Sequence, residues 1–234
     1  MSGILYIISA PSGSGKSTLV NELRTIVRDL DFSISYTTRP PRGSEQNGRE
    51  YYFISRQEFE EMIRRSEFLE YAEVFGNYYG TACRFLNDAE ERGKDLLLDI
   101  DVQGARQVCH KIPDAVSIFV MPPDKSTLES RLWKRSQAEH VNPEVIQRRL
   151  ETATKEIENY QNYGYILLND RLEQAVDELR AIVLSERIKR AGPPFPPGAT
   201  DLFAVAECCR QANAQERIKP VLLSFGQRVS GSAQ

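Results

Sequence analysis

Near its start the chain reads Ile4-Leu5-Tyr6-Ile7-Ile8-Ser9-Ala10-Pro11-Ser12-Gly13-Ser14-Gly15-Lys16-Ser17-Thr18-Leu19-Val20. The apolar run over 4–8 predicts a buried strand, and the residues from Ser17 to about Asp29 predict a helix. The stretch between them is rich in glycine and serine, which is typical of a turn. A glycine-rich turn between a strand and a helix is typical of phosphate-binding loops.

The residues of this loop have the chemistry that triphosphate binding needs. Gly13 and Gly15 let the backbone approach a ligand without an intervening Cβ. We expect Lys16 to neutralise the β- and γ-phosphates and Ser17 to offer its hydroxyl to Mg²⁺. The pattern departs once from its strict form, since Ala10 stands where a glycine is usual. The predicted triphosphate-binding residues are Ala10, Pro11, Ser12, Gly13, Ser14, Gly15, Lys16, Ser17 and Thr18.

Composition excludes several classes of protein. The 234 residues include 30 basic and 33 acidic side chains, so the net charge of −3 offers no field for nucleic acid or an anionic membrane. No apolar run approaches the ~18 residues of a membrane span, and the N-terminus lacks a secretory signal. The spacing of the four cysteines fits free thiols. We therefore expect a cytoplasmic protein without nucleic-acid or membrane partners; the sequence leaves homo-oligomer formation open.

Apolar runs alternate with helix-period segments along the chain, which predicts an α/β fold with a parallel sheet flanked by helices. Residues 32–81 interrupt this order with short strand-like pieces and a helix that Ser55 is predicted to cap. We interpret about 32–81 as an inserted lobe for an acceptor molecule.

The composition changes after residue 190. Residues 192–198 read Gly-Pro-Pro-Phe-Pro-Pro-Gly, which cannot be helical and predicts a stiff linker. Beyond it lie two weakly apolar pieces, 202–209 and 221–225. We therefore divide the chain into a domain over 1–190 and a Pro-rich linker with a C-terminal extension over 191–234. The extension is expected to be a flexible appendage or a contact for a partner.

Carboxylates end one of the predicted core strands. Asp99 and Asp101 follow the apolar residues 96–98, at the strand end where open α/β sheets bind ligands. Two residues apart on a continuing strand, they would face the same side. We expect one or both to hold Mg²⁺ or its water shell, the alternative being a solvated strand end.

Basic and aromatic residues mark a second phosphate site. The stretch over 35–42 reads Ser-Tyr-Thr-Thr-Arg-Pro-Pro-Arg, and Tyr51 follows it. Because arginine forks match phosphate oxygens, Arg39 and Arg42 are predicted to clamp an acceptor phosphate. By itself the stretch would favour the alternative interpretation, a charged surface loop.

Glu70 suggests which base the acceptor carries. A buried carboxylate can accept from both N1–H and N2–H₂ of guanine, whereas adenine has neither donor and would leave the carboxylate unpaired. The hydroxyls of Ser35 and Thr81 are candidates for the guanine O6, although a hydroxyl discriminates weakly because it both donates and accepts.

Four stretches of the chain resemble, in order and spacing, the motifs of guanylate kinases. They are Ala10–Thr18, Thr37–Arg42, Gly76–Thr81 and Leu98–Gly104, within a resemblance that spans about residues 3–190. The resemblance implies the nucleoside-monophosphate-kinase type of P-loop fold, with a core, a GMP-binding lobe and a helical lid over about 124–150. It also implies transfer of the ATP γ-phosphoryl group to GMP, and to dGMP, giving ADP and GDP, with Mg²⁺ as cofactor.

The resemblance assigns roles residue by residue. The residues that would hold the GMP phosphate are Arg39, Arg42, Tyr51 and Tyr79. Those that would read guanine are Ser35, Glu70, Thr81 and Asp101. Asp99 would contact GMP. Asp99 and Ser17 would also hold the metal, and Asn169 would lie near the ATP base. The catalytic cations would be Lys16, Arg39, Arg42, Arg131, Arg135 and Arg149.

The predicted lid departs from the family pattern. Arg135 is followed by Ser136 instead of glycine, and residues 137–142 form a longer linker than usual. The alignment of Arg135 is therefore open. Between Arg148 and Arg149 we favour Arg149, because it precedes Leu150 as the family's second lid arginine usually does.

The predicted reaction depends on charge neutralisation. A nucleoside monophosphate is mostly dianionic at pH 7, so its attacking oxygen needs no general base. Mg²⁺, Lys16 and the arginines would neutralise the in-line transfer, and lid closure would exclude water. Two alternatives stay open: a binding module on the same fold, which the presence of Lys16 and Arg39 disfavours, and a kinase for AMP or a pyrimidine nucleotide, which Glu70 disfavours.

Overall fold

A computed structural model describes residues 3–138 and 143–227 of the chain. These residues form two compact units. We call the first, residues 3–9 and 29–117, the strand-rich unit, and the second, residues 10–28 and 118–227, the helical unit.

The strand-rich unit contains seven of the strands in the described residues. Its elements are β1 (Leu5–Ser9), β2 (Leu30–Phe32), β3 (Tyr36–Thr37), β4 (Tyr52–Phe53), α2 (Arg56–Arg64), β5 (Phe68–Val74), β6 (Asn77–Ala82), α3 (Cys83–Glu91), β7 (Asp95–Asp99) and α4 (Val102–Lys111).

Three of these strands are parallel neighbours in the order β2-β7-β1. Leu5 pairs with Leu96, and Leu30 pairs with Asp95. Helix α3 packs against β7, and α4 packs against β1. Residues 5–8 of β1 and 96–98 of β7 are apolar because parallel strands under helices are buried on both faces. The predicted α/β class with a parallel sheet flanked by helices is confirmed.

A second, four-stranded sheet has the order β4-β3-β6-β5 and lies within the segment predicted to be an inserted lobe. Strand β5 is therefore an edge strand, and it pairs with β6 in antiparallel register. A bulge interrupts that register, because Phe68 pairs with Ala82 and Glu70 with Thr81, which makes Leu69 the extra residue. Helix α2 begins after Ser55, whose hydroxyl accepts from the amide of Glu58 as the sequence predicts.

The helical unit contains the remaining elements. They are α1 (Lys16–Ile26), most of β8 (Val116–Met121), α5 (Lys125–Ala138), α6 (Pro143–Ile157), a 3₁₀ turn (Glu158–Asn162), β9 (Tyr165–Leu168), α7 (Leu172–Ala191), α8 (Ala199–Cys208) and α9 (Gln215–Ser224). Strands β8 and β9 are parallel, with Ile118 opposite Tyr165, and α7 packs against α1, α8 and β9. Among the described helices, none is long and apolar enough to cross a membrane.

The C-terminal extension is packed, so the flexible appendage expected after residue 190 does not describe residues 199–227. Helix α8 lies along α7. Beyond it, the carbonyl of Cys209 accepts from the amide of Ile166, and the amide of Gln211 donates to Gly164, which attaches the extension to β9. Helix α9 buries Ile218, among other apolar residues.

Two ion pairs accompany this apolar contact. Arg217 lies 2.9 Å from Glu178, and Arg210 lies 3.0 Å from Glu186, both carboxylates being on α7. Sequence reasoning missed these helices because each is short and depends on packing against α7 and β9 more than on local propensity. The extension is therefore an integral layer of the helical unit.

An alanine substitution in α9 should destabilise the protein if the extension contributes to its folding. Ile218 is 1% exposed, and Ile218→Ala should lower the free energy of unfolding by about 2–5 kcal/mol. Leu223→Ala, on the same helix at a side chain that is 58% exposed, should change it by less than about 0.5 kcal/mol. Urea denaturation followed by circular dichroism measures both, and equal midpoints for the two variants would mean that α9 contributes nothing to stability.

Candidate active site

The predicted phosphate loop joins Ala10 to α1. Gly13 and Gly15 have φ of 91° and 87°, in the left-handed region that favours glycine. The amide of Ser14 donates to the carbonyl of Pro11 over 3.1 Å, which closes the turn. A Cβ on Gly15 would lie 2.4 Å from Nδ2 of Asn169, so the backbone is packed there as closely as glycine allows.

The carbonyl of Ser14 holds the loop in this shape. It accepts from Nδ2 of Asn169 over 2.7 Å and from Nη1 of Arg131 over 3.2 Å. Nη2 of Arg131 also donates to the carbonyl of Asn169 over 3.3 Å. The three residues come from the loop, the end of β9 and helix α5, so tertiary contacts fix the loop before any ligand binds.

The hydroxyl of Ser14 is buried and has no hydrogen-bond partner within the part of the chain that the structure describes. Ser17 and Thr18 are exposed at the first turn of α1, and Lys16 is half-buried beside them. A buried unpartnered hydroxyl next to an exposed helix N-terminus fits a phosphate ligand, whose oxygens would accept from both.

Asn169 contacts the loop rather than open space. It is 5% exposed, its amide donates to Met121, and its side chain donates to Ser14. This contact explains why an asparagine follows β9, and sequence reasoning missed it because the two residues are far apart in the chain. The contact with the ATP base stays a prediction.

The predicted lid arginines have different environments. Arg131 on α5 contacts the phosphate loop, as described above. On α6, Arg148 is exposed and Arg149 is buried at 8% exposure. The side chain of Arg135 lies outside the described residues, as does most of the 137–142 linker, so its predicted role stays a prediction.

Arg39 forms the centre of what we call the Arg39 cluster, which consists of Arg39, Arg42, Tyr51 and Tyr79. Nε of Arg39 donates to the Tyr79 hydroxyl over 3.2 Å, and the guanidinium lies 5.4 Å from the centre of the Tyr51 ring. The rings of Tyr51 and Tyr79 meet edge to face at 5.9 Å. Burial, followed by the charge of Asp99, raises the pKa of Tyr51 to about 12, so its hydroxyl remains a donor at neutral pH.

Glu45 belongs beside this cluster, and sequence reasoning missed it. Its carboxylate pairs with the Arg39 guanidinium at 3.0 Å and accepts from the amide of Arg42 over 2.8 Å. Burial lowers the pKa of Arg39, but the hydrogen bonds and charge interactions with Glu45 and Tyr79 together more than offset this, and the pKa is raised overall. An acid six residues after the arginine was the available signal.

A second group, the Glu70 cluster, consists of Glu70, Thr81, Asp101 and Gly104. Glu70 is 3% exposed and is paired across the sheet with Thr81. A Cβ on Gly104 would lie 2.2 Å from Oε2 of Glu70 and 3.4 Å from Oδ1 of Asp101. Three of the residues predicted to read guanine therefore lie together, while Ser35 is half-buried and its carbonyl accepts from the amide of Tyr52.

The pKa of Glu70 is raised from 4.5 to about 7, chiefly because burial disfavours the charged form. The charge of Asp101 adds to this rise, whereas Thr81 and the cation of Lys111 oppose it. A carboxyl group with such a pKa changes its protonation near neutral pH, which is common at functional sites.

Asp99 and Asp101 are not on one continuing strand, so that expectation was wrong. Strand β7 ends at Asp99, and Asp101 caps α4 by accepting from the amide of Gly104 over 2.7 Å. The need for a helix N-cap turns the chain out of the strand. As a result, Asp99 acts electrostatically on Tyr51 in the Arg39 cluster, and Asp101 acts on Glu70.

Comparison with known proteins gives consistent matches. The family model described as guanylate kinase matches residues 2–186. A guanylate kinase of Koribacter versatilis is 58% identical over 225 residues, covering 96% of this chain and 97% of that protein, so it shares most of the extension. A guanylate kinase of Nitrosospira multiformis is 49% identical over 81% of this chain and 89% of its own length. The crystal structure of guanylate kinase from Anaplasma phagocytophilum has a TM-score of 0.67 and 31% identity, covering 88% of this chain and 96% of that one.

Asn169→Asp should distinguish a role in holding the loop from contact with a base. The substitution would place a carboxylate oxygen against the Ser14 carbonyl, so the KM for ATP and for GTP as donors should rise equally, by about tenfold. A change confined to one donor would instead indicate base recognition. Asn162→Asp is the matched control, because Asn162 is exposed.

Glu70→Gln should change how stability depends on pH. Because the folded protein binds this proton more tightly than the unfolded chain does, the ionised carboxylate destabilises the fold above pH 7, and this penalty disappears as the pH falls from 7 towards 4.5. The free energy of unfolding of the variant should therefore exceed that of the wild type at pH 8 by up to about 3 kcal/mol, with a smaller difference at pH 5. Urea denaturation at several pH values measures this. Glu73→Gln, at an exposed position on β5, is the control, and a difference independent of pH would contradict the assignment.

Proposed function

Since this chain belongs to the guanylate kinase family and phosphorylates GMP with ATP as donor, we propose that the Glu70 cluster reads the guanine base and that the Arg39 cluster binds the GMP phosphate. The observation that carries the proposal is the buried carboxylate of Glu70, within a unit that also contains the buried Arg39 guanidinium.

Guanine is the base whose chemistry fits the Glu70 cluster. Its N1–H and N2–H₂ donors would satisfy both carboxylate oxygens, and two such bonds would favour the ionised form of Glu70. Adenine would leave the same carboxylate desolvated and without donors, which costs more than the lost bonds alone. Thr81 and Asp101 border the carboxylate and would contact the same base.

The Arg39 cluster has the chemistry of a phosphate site. Its two phenol hydroxyls and its guanidinium are donors, and phosphate oxygens are acceptors. Glu45 supports the proposal, because its ion pair keeps the guanidinium in one orientation. Arg42 would add a second cation from the same turn.

Charge neutralisation would accelerate the transfer. The attacking oxygen of GMP is already ionised at neutral pH and requires no general base. Lys16 and the arginines would offset the repulsion between the two nucleotides, as positively charged groups do in other phosphoryl transfers. The lid arginines proposed for this role are Arg131, Arg135 and Arg149, and closure of the lid over about 124–150 would exclude water.

Mg²⁺ is proposed as the cofactor, and it would neutralise charge on the triphosphate. The exposed Ser17 hydroxyl and the half-buried Asp99 carboxylate each offer a hard oxygen ligand of the kind that Mg²⁺ prefers. The described residues contain no group of three or more His, Cys, Asp or Glu side chains that could hold a metal. This suits an ion that is bound largely by nucleotide phosphates.

The remaining parts of the proposal follow from composition and the family. We propose dGMP as a second acceptor, a catalytic part of the chain that ends near residue 190 with the extension packed onto it, and a cytoplasmic location. The net charge of −3 favours small-molecule partners over nucleic acid.

A coupled ADP-release assay with Glu70→Gln tests the base assignment. The variant should lose at least ~10²-fold in kcat/KM for GMP and change little with AMP, because only guanine uses the carboxylate. An unchanged ratio of GMP to AMP turnover would exclude Glu70 as the base-reading residue. Lys16→Ala, which should abolish turnover with every acceptor, shows that the measured ADP comes from this site.

The same assay between pH 8 and pH 6 gives a second test. The wild-type KM for GMP should rise as the pH falls through about 7, since protonated Glu70 cannot accept from both guanine donors. The GMP phosphate also titrates, near pH ~6, but this affects the wild type and the Glu70→Gln variant equally. Only the wild type should therefore show the additional change near pH 7.

A further inference from the structure

Helix α4 contacts β5 on both sides of Glu70. Strand β5 is the edge of its sheet, so the backbone groups on its outer side have no neighbouring strand in the described sheet. Unpaired groups on an edge strand normally face water or another element. Here they face side chains of α4.

Gln107 pairs with β5 one residue after Glu70. Its Nε2 donates to the carbonyl of Tyr71 over 2.7 Å, and its Oε1 accepts from the amide of Tyr71 at 3.4 Å. The side-chain amide thus presents a donor and an acceptor to one residue, as a neighbouring strand would. This holds the backbone immediately after Glu70.

Lys111 performs the corresponding task one residue before Glu70. Its Nζ donates to the carbonyl of Leu69 over 2.6 Å. Leu69 is the bulge residue, so its carbonyl lies outside the regular ladder with β6. Lys111 therefore fixes the irregular point of the strand, and its charge also favours the ionised form of the neighbouring Glu70 carboxyl.

Gly104, in the first turn of α4, provides space for the carboxylate. A Cβ on Gly104 would lie only 2.2 Å from Oε2 of Glu70, so the carboxylate fits there because residue 104 has no side chain. The amide of Gly104 is held by Asp101, so the turn cannot move away freely. The carboxylate is thus bounded by the start of α4, while Gln107 and Lys111 fix its backbone.

We propose that α4 is the element that positions the base-reading carboxylate, with Gln107 and Lys111 as positioning residues and Gly104 as the clearance into which Glu70 fits. The inference rests on the proposed role of Glu70. A carboxylate that accepts from two donors of a rigid base must lie within a few tenths of an ångström of its position, so its backbone has to be held on both sides.

Gln107→Leu and Lys111→Met test the proposal in the full chain. Each removes the contacts with β5 and keeps most of the side-chain volume. For Gln107→Leu the KM for GMP should rise about tenfold, the size expected from two ordinary hydrogen bonds, while kcat and the KM for ATP change less than about twofold. Lys111→Met should behave similarly. Arg106→Met, an exposed cation on the same helix, should leave all three parameters unchanged.

A double-mutant cycle with Glu70→Gln separates this inference from the proposed function. If Gln107 acts through the carboxylate, Gln107→Leu should have little further effect on the ratio of GMP to AMP turnover once Glu70 is Gln. Independent effects that multiply would overturn the positioning role, as would an unchanged KM for GMP in both single variants. If Glu70→Gln itself leaves the ratio unchanged, the proposed function fails instead.

Gly104→Ala tests the steric part of the inference independently. In the wild type the added methyl group should displace the carboxylate and raise the KM for GMP by more than tenfold. Its melting temperature, measured by circular dichroism, should also fall. In a Glu70→Ala background, where the clash is absent, Gly104→Ala should leave the melting temperature nearly unchanged. An equal fall in both backgrounds would show that Gly104 matters to α4 alone.

Discussion

A carboxylate held out of water at Glu70 is the constraint around which the strand-rich unit is arranged. Burial alone would protonate this group, and its pKa of about 7 reflects that cost. Asp101 increases the cost, whereas Thr81 and Lys111 reduce it. A chain selected only for stability would place an apolar residue there. The charge is useful only if a ligand supplies donors, so the unfavourable electrostatics of the site and the selectivity for guanine that we propose for it would have the same cause.

The helical unit meets its own constraint in a different way. A phosphate loop must keep several amides pointed at one place although no regular structure holds them. Here a single carbonyl, that of Ser14, is held by donors from two distant elements, and the adjacent Ser14 hydroxyl is left without a described partner. The contacts of the Ser14 carbonyl thus make the loop rigid, while the Ser14 hydroxyl remains able to bind a ligand. Such preorganisation avoids an entropic cost when the nucleotide binds.

What could be predicted from the sequence depended on how locally each feature is encoded. The phosphate loop and the Ser55 cap are determined by neighbouring residues and were predictable from spacing. The prediction that Arg39, Tyr51 and Tyr79 act together came from the family resemblance, not from periodicity. Gln107 and Lys111 could not be found in this way, because an exposed polar residue on a helix gives no sign that it faces the edge of a strand about 40 residues earlier. The prediction that Asp101 continues the strand was wrong for a related reason, since the sequence does not distinguish a strand end from a helix N-cap two residues later.

The extension shows the same limit at a larger scale. Its helices have little amphipathic pattern, yet they bury Ile218 and attach to β9. At the end of α9, the Ser224 hydroxyl accepts from the amide of Lys125, where α5 begins, and Gln227 donates to Glu158, directly after α6. The extension therefore forms hydrogen bonds with Lys125 and Glu158, near the two ends of the predicted lid over about 124–150. A segment that the reaction chemistry does not require is thus hydrogen-bonded next to both ends of the part of the fold that is expected to move.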